Sequence, residues 1–248
     1  MQESITKADS MKVNKKIIYD RSCPMCAWYT NQFVRHGLLS RDGRIAFADL
    51  DPKCLPYTID TERSRHEIPL IDAEGGATLY GLDSLRYLLA QRFPIVDRML
   101  RIPVFYYCSL RLYRFVSYNR RIIVPSAAIH ERGIDCSPRY NPRYRWAYIL
   151  FCGVLSMGLL SSFPMLLIAN VLLVGAVMFY NFKHARLPGR FADHLAELMT
   201  MMLLFATVVF PAVFLPMLLP IFLMLGTCLA GSQLHSRWRK YSLRRLYA

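Results

Sequence analysis

The chain has 248 residues, enough for one ordinary domain and a smaller second part. Apolar residues make up 54% of it, yet the formal net charge at pH 7 is +14. Charged and apolar residues are separated along the chain, because residues 146–182 and 198–232 contain no Asp, Glu, Lys or Arg. Each stretch is longer than the ~18 apolar residues that indicate a membrane-spanning helix, which excludes a single soluble globule.

The first residues of the chain indicate the cellular compartment of the first domain. Residues 1–16 are polar and basic without an apolar core, so we expect no secretory signal and a first domain in the cytoplasm. Because the cytoplasm keeps thiols reduced, the seven cysteines do not indicate a disulfide framework. A close pair is more typical of catalysis or metal binding, and Cys23 and Cys26 form such a pair.

The surroundings of this pair predict its local structure. Residues 15–20 are typical of a short strand, and Pro24 followed by residues 25–36 is typical of a helix that Gly37 closes. The cysteine pair therefore lies at a strand-to-helix turn.

Such a turn has a chemical use. The amino terminus of a helix presents unpaired N–H groups and partial positive charge, which stabilise a thiolate at Cys23, and Arg21 adds positive charge nearby. Cys26, one turn later, is within reach to resolve a mixed disulfide. Asp20 either orients the turn or acts on the Cys26 proton.

Three more strands and a helix follow, the last two strands joined by a Gly75-Gly76 turn and the helix opened by Asp83-Ser84. They are expected at residues 44–50, 68–72 and 77–81 for the strands and at 85–93 for the helix. This order is that of a thioredoxin-like or glutaredoxin-like fold, in which Pro69 would form a cis peptide bond and lie against the cysteine pair. The alternative for Pro69 is an ordinary edge strand.

Three segments also resemble a specific family. They are Tyr19-Asp20-Arg21-Ser22-Cys23-Pro24-Met25-Cys26, Tyr80-Gly81-Leu82-Asp83-Ser84-Leu85 and Leu112-Tyr113-Arg114-Phe115-Val116-Ser117-Tyr118-Asn119-Arg120-Arg121. The first is similar to the opening motif, Tyr-Asp-Gly followed by Cys-x-x-Cys, of the DCC family of predicted thiol-disulfide oxidoreductases. The resemblance covers residues 15–125 and implies dithiol–disulfide exchange. Arg21 stands in place of the family's glycine, so we expect it to narrow access or to alter the turn.

The two uncharged stretches predict membrane helices. A single helix over residues 146–182 would be roughly 55 Å long, against ~30 Å for the hydrocarbon core, so each stretch must fold back. Prolines mark the turns, at Pro164 in the first stretch and at Pro211, Pro216 and Pro220 in the second. The expected spans are about 146–162, 164–181, 194–211 and 216–232.

Basic residues predict the orientation of these spans. They lie between the two hairpins and after the last one, at Lys183, Arg186, Arg190, Arg237, Arg239, Lys240, Arg244 and Arg245. Four spans put all of them on the side of the first domain, as the positive-inside rule requires. We therefore expect a protein of the bacterial inner membrane with both termini in the cytoplasm. Nucleic-acid binding is the alternative use of the charge, but no recognition motif accompanies it.

The fold expected from the sequence is an α/β thioredoxin-like N-terminal domain followed by an all-α transmembrane bundle of four helices. The boundaries are a flexible N-terminus at 1–14, a redox domain at 15–125, a linker at 126–145, the four-helix region at 146–232 and a basic cytoplasmic tail at 233–248.

Several residues leave alternatives open. Cys54 is either a third reactive thiol or a loop residue, and Cys152 and Cys228 are either small apolar residues or an electron relay. A metal site would have to gather isolated cysteines, Cys54, Cys108 and Cys136, so we expect no metal and no cofactor.

Two charged regions also allow two interpretations. Asp193, His194 and Glu197 either complement the start of the third span or mark a site at membrane depth. Residues 95–125, rich in aromatic and basic side chains, form either a helix on the membrane surface or a packed helix of the domain.

Two functions are compatible with these features. In the first, Cys23 attacks, Cys26 resolves and Pro69 shapes the groove of a redox enzyme that is anchored in the lipid bilayer and acts on a partner protein or a small thiol. In the second, the bundle is the working part of an assembly or transport component, and the thioredoxin-like domain docks a partner or senses redox state.

Overall fold

The computed structural model of the protein describes residues 15–50, 59–72, 76–125, 138–184 and 188–246. These residues divide into two compact units. The N-terminal unit contains the described residues up to Arg120 together with 138–139, and the C-terminal unit contains 121–125 and the described residues from Tyr140 onward.

Some sequence predictions fall outside this description. They concern the N-terminus at 1–14, Cys54, Gly75, residues 126–137 of the linker, Cys136, and the side chains of all eight basic residues that set the expected orientation.

A mixed four-stranded sheet organises the N-terminal unit. Its strands are β1 (Lys15–Tyr19), β2 (Arg44–Ala46), β3 (Pro69–Asp72) and β4 (Leu79–Tyr80), in the order β2-β1-β3-β4. β1 runs parallel to β2 and antiparallel to β3, and β3 is antiparallel to β4.

Helices alternate with these strands. They are α1 (Pro24–Arg35), the short α2 (Thr61–Ser64), α3 (Leu82–Ala90), α4 (Pro94–Leu100) and α5 (Pro103–Ile123), with a 3-10 turn at Phe47–Asp49 after β2. The predicted order of elements is confirmed, although β2 ends earlier than expected and α3 begins earlier, at Leu82.

Both faces of the sheet are buried, because neighbouring residues of a strand point to opposite sides. Ile17 packs with Phe33 of α1 and Leu88 of α3 on one face. Ile18 packs with Phe47 and Ile59 on the other. The end of β1 is therefore held from both sides, and it leads directly into the cysteine turn.

Pro69 corrects one expectation. The Ile68–Pro69 peptide bond is trans, so the predicted cis-proline is wrong. The neighbouring backbone explains this: the Ile68 N–H donates to the Tyr113 hydroxyl oxygen at 3.0 Å, and the Ile68 carbonyl accepts from the Gly81 N–H at 2.9 Å. These bonds hold the chain extended into β3, which suits the trans form that X–Pro bonds favour by about 0.5–1 kcal/mol.

Gly81, between β4 and α3, is a position that requires glycine. Its φ is +58°, and an added Cβ would lie 3.1 Å from Glu67 Cγ and 3.1 Å from Tyr113 Cε1. This close approach lets α5 pack beside the start of β3.

The C-terminal unit is helical. It contains α6 (Pro142–Leu160), α7 (Pro164–His184), α8 (Pro188–Val209) and α9 (Leu219–Leu246), with 3-10 turns at Phe210–Val213 and Pro216–Leu218. The turns at Pro164, Pro211 and Pro216 are thus where the sequence predicts them, whereas Pro220 lies in the first turn of α9. α6 begins earlier than expected because Asn141 caps it, its side-chain oxygen accepting from the Arg143 N–H at 3.1 Å.

Two segments of the described chain are long and apolar enough to cross a membrane. They are Phe191–Val213 and Pro216–Gln233, with mean hydropathies of 1.9 and 1.4. The apolar helix Pro164–Ala176 is shorter. The described residues therefore give two candidate spans within a helical region, and the transmembrane bundle of four helices stays a prediction.

Polar contacts join α6 to α8. Arg145 Nε lies 2.8 Å from Asp193 Oδ1, and the Tyr148 and Thr200 hydroxyl oxygens are 2.9 Å apart. Asp193 lies in the second turn of α8 and not at its start, so the capping interpretation is wrong for this residue. Its carboxylate instead pairs with the arginine of a neighbouring helix.

Candidate active site

The two cysteines occupy the first turn of α1. Cys23 is its N-cap residue, with φ −95° and ψ 107°, and Pro24 takes the first helical position. The Cys26 N–H donates to the Cys23 sulfur at 3.4 Å, so this thiol does the work that a serine or aspartate side chain does at other helix starts. The predicted strand-to-helix placement of the pair is confirmed.

Both side chains are buried free thiols, and their pKa values move in opposite directions. A hydrogen bond from the Cys26 thiol is the largest influence on Cys23 and lowers its pKa from 9.0 to about 6, against the effect of burial. The same hydrogen bond, together with burial, raises the pKa of Cys26. Cys23 is therefore the thiol that ionises first, and Cys26 keeps its proton.

Arg120 brings a positive charge to the pair from α5. Its side chain is 8% exposed, and its Nη2 atom lies 3.5 Å from Asp20 Oδ2, a contact between residues 100 positions apart. Its charge lowers the pKa of both thiols. The sequence interpretation missed this residue as part of the site, although it lies in the last of the three family-like segments.

Asp20 orients the turn that precedes the helix. Its Oδ1 atom accepts from the Ser22 N–H at 3.0 Å and from the Ser22 hydroxyl at 2.6 Å, and its carbonyl accepts from the Cys23 N–H at 3.2 Å. Its negative charge opposes that of Arg120 and raises the pKa of both thiols. The structure is thus consistent with the turn-orienting alternative for Asp20.

A small cavity of about 10 Å³ adjoins Cys26. Its lining residues are Ile18, Asp20, Cys26, Tyr29, Phe47, Ser64, Ile68 and Arg120. Cys26, Asp20 and Arg120 therefore share one small space of roughly the volume that a single water molecule needs.

These elements match a known family. Residues 17–124 match the model of the DCC1-like thiol-disulfide oxidoreductases. Across these residues the N-terminal unit is similar to this family. A search of curated proteins and a search of solved structures each found no match.

The other predicted site residues of the DCC1-like domain lie differently. Arg21 is about half exposed and forms an ion pair with Asp49, and neither residue lines the cavity. Pro69 is fully buried in β3, and its neighbour Ile68 lines the cavity in its place. The structure therefore brings Cys23, Cys26 and Asp20 together, and leaves Arg21 and Pro69 outside the cavity.

Arg44 braces the cysteine helix of the DCC1-like domain from β2. Its guanidinium donates to the Ala27 carbonyl at 3.0 Å and to the Thr30 hydroxyl at 3.1 Å, and it lies 4.4 Å from the centre of the Tyr19 ring. These contacts fix the first two turns of α1 against the sheet. Sequence patterns gave no signal for this role, since Arg44 stands in an ordinary strand.

The described residues contain three further free cysteines. Cys108 on α5 and Cys228 on α9 are exposed, and Cys152 on α6 is buried. Within the described ranges, no group of three or more His, Cys, Asp or Glu residues is arranged to hold a metal ion.

Proposed function

We propose that the chain is a membrane-anchored thiol–disulfide oxidoreductase whose N-terminal domain is thioredoxin-like. The observation that carries the proposal is the cysteine turn: Cys23 at the start of α1, with its pKa lowered to about 6 and Cys26 as hydrogen-bond donor. At neutral pH, Cys23 is then largely thiolate, the form that attacks disulfides.

The proposed exchange is a pair of displacements. The Cys23 thiolate attacks one sulfur of a substrate disulfide, which forms a mixed disulfide and releases the other substrate sulfur as a thiolate. Cys26 then loses its proton and attacks Cys23, which forms the Cys23–Cys26 disulfide and releases the second substrate thiolate. The substrate gains two electrons and the enzyme dithiol loses two; the reverse sequence oxidises a substrate dithiol.

The second displacement requires a base, because the pKa of Cys26 is raised. We assign this role to Asp20 in addition to its orienting of the turn, because it lines the same cavity as Cys26. A water molecule in that cavity would carry the proton between the two groups. Arg120 then stabilises the thiolate that forms.

The membrane part of the proposal is supported by the two long apolar segments, Phe191–Val213 and Pro216–Gln233. We propose four spans within residues 146–232, a linker at 126–145 before them and a basic tail at 233–248 after them. The bilayer is then the bacterial inner membrane, with both termini in the cytoplasm, because all the basic loops fall on one side in this arrangement. The substrate is a thiol or disulfide of a partner protein or a small molecule.

The experiment compares three variants of the full chain in detergent or lipid discs. Cys23→Ser should lose catalysis of dithiol–disulfide exchange, Cys26→Ala should accumulate a mixed disulfide with the substrate, and Cys108→Ser, an exposed cysteine of the same unit, should keep full activity. Full activity in Cys23→Ser would overturn the assignment.

A second function is favoured by the burial of the site. Cys23 is 0% and Cys26 3% exposed, so a disulfide reaches either sulfur only after the turn has moved. A redox sensor or docking module in an assembly or transport component would have this property too. A variant with both cysteines changed to Ser distinguishes these roles. A purely docking domain would keep its biological function in that variant, whereas a role that needs the thiols would lose it.

A further inference from the structure

Helices α4 and α5 expose an unusual amount of apolar surface. On α5, Val104, Cys108 and Leu112 follow one another at four-residue intervals and thus share one face. Val104 and Leu112 are 69% and 63% exposed. Tyr113, nine positions after Val104, faces the opposite side, where it contacts Ile68.

We call the most exposed apolar residues of α4, α5 and the turn between them the apolar stripe. It consists of Ile95, Met99, Ile102, Val104, Phe105 and Leu112. The two interpretations of residues 95–125 therefore describe opposite faces of one segment. The inner face packs into the domain, and the outer face is apolar and open.

Positive charge surrounds the stripe. Residues 91–112 contain four arginines and one aspartate. The aspartate, Asp97, is already paired with Arg86 at 2.7 Å and with Arg101 at 2.6 Å. Arg92 and Arg98 are exposed, and Arg111 lies over the Tyr107 ring at 4.8 Å.

We propose that the apolar stripe docks the DCC1-like domain on the surface of an anionic lipid bilayer. An amphipathic segment with exposed apolar and aromatic side chains and a basic border is the pattern of helices that lie in the headgroup region. The proposal rests on the membrane anchor under Proposed function, because a tether to the bilayer gives this surface a high local concentration of lipid. The charge of the border favours lipid over an apolar protein groove.

The exposed Cys108, which lies on α5 between Val104 and Leu112 of the stripe, provides the probe. The full chain is placed in discs that hold one chain each, made of phosphatidylcholine alone or of an equal mixture with phosphatidylglycerol. Modification of Cys108 by a membrane-impermeant maleimide is followed by mass spectrometry of its peptide. We expect it to be at least about tenfold slower in the anionic discs at low salt, and high salt to reduce the difference.

Charge-reversal variants test whether the arginines around the stripe cause the difference in labelling. Arg92→Glu with Arg98→Glu should remove the difference between the two kinds of disc, and Leu112→Gln should reduce it. The matched control, Arg35→Glu with Arg41→Glu, makes the same change of charge at exposed sites elsewhere in the unit and should leave the difference intact.

Each contrary result has a meaning. Equal rates of Cys108 labelling in both kinds of disc, whether fast or slow, contradict the docking surface. If labelling stays slow in detergent, the stripe is covered by protein instead, either by another part of the chain or by a second copy of it. A chain that does not enter the discs contradicts the membrane anchor and with it the docking. A chain that enters them but labels equally contradicts the docking alone.

Discussion

Both units of the molecule bury an arginine that pairs with an aspartate, and the surroundings of the two pairs differ. In the N-terminal unit, the Arg120 and Asp20 side chains are each 8% exposed and lie 3.5 Å apart. In the C-terminal unit, Arg145 and Asp193 are closer, at 2.8 Å, but the aspartate is 41% exposed.

The two ion pairs differ in the groups that lie close enough to be affected by their charges. Arg120 and Asp20 act in opposite directions on the pKa values of two thiols, whereas Arg145 and Asp193 connect α6 to α8 and act in opposite directions on the pKa of a tyrosine hydroxyl, that of Tyr140. Burying a charge costs desolvation energy in both places. A buried ion pair therefore indicates a reactive site only where a nucleophilic group, such as a thiol of lowered pKa, lies beside it.

The largest effect should come from Arg120→Leu. The substitution leaves the buried Asp20 carboxylate without this ion pair, which should lower the free energy of unfolding by about 3–5 kcal/mol. Loss of the positive charge should also raise the pKa of Cys23. Denaturant unfolding of the full chain measures the first effect, and the pH profile of Cys23 alkylation measures the second.

The exposed Arg41→Leu is the matched control and should change neither quantity. Adding Asp20→Asn to Arg120→Leu should recover part of the stability, since the buried carboxylate that lost this ion pair is then replaced by a neutral amide. If Arg120→Leu destabilises the protein but leaves the alkylation profile in place, Arg120 is only structural and the contrast between the two units disappears.

A smaller loss is expected from Asp193→Leu. Because Asp193 is partly exposed, removing it should cost about 1–3 kcal/mol, and the added change Arg145→Met should restore most of this. The alkylation profile of Cys23 should stay as in the unchanged chain. A shift of that profile would contradict the view that this pair has no part in the redox site.

Local features of the site could be predicted from the sequence. Pro24 at the first helical position and Gly37 after the last turn set the limits of α1, and both act through neighbouring backbone geometry. The order of strands and helices followed in the same way from short patterns. The bounds of the membrane-spanning helices were harder to predict. α6 starts at Pro142 and carries Arg143 and Arg145 in its first turn, which makes it less apolar than residues 146–162 alone.

Long-range features could not be predicted in this way. The contact of Arg120 with Asp20 joins the end of α5 to the end of β1, and no local pattern specifies which of several arginines reaches the turn. The trans form of Pro69 likewise depends on Tyr113 and Gly81, which bond the Ile68 backbone from elsewhere in the chain.

The thiols should give the N-terminal unit a distinctive pH dependence. The pKa of Cys23 is about 6 in the folded protein and 9.0 ordinarily, so the unfolded chain binds more protons between these values. Stability should therefore rise with pH from about 6 to about 9, and this contribution should be lost below pH 6. The raised pKa of Cys26 acts in the opposite sense, so stability should fall above pH 9.

Measuring the free energy of unfolding across this pH range in Cys23→Ser and in the unchanged chain isolates the contribution of the Cys23 thiol. The rise between pH 6 and 9 should flatten in the variant and persist in Asp193→Leu. The same rise in all three chains would mean that other groups produce it.

A loss of similar size to that of Asp193→Leu should come from a single hydroxyl, in Tyr113→Phe. The Tyr113 oxygen accepts from the Ile68 N–H at 3.0 Å, and this backbone group lies beside the cavity and just before Pro69. Without its acceptor, the buried N–H is left unsatisfied, which should cost about 1–3 kcal/mol of unfolding free energy. Tyr107→Phe changes the same atom on the exposed face of α5 and should cost almost nothing, because water replaces its contacts. Equal losses of unfolding free energy in the two variants would contradict the difference in burial between the inner and outer faces of α5. They would also count against the view that this helix positions Arg120 at the thiols.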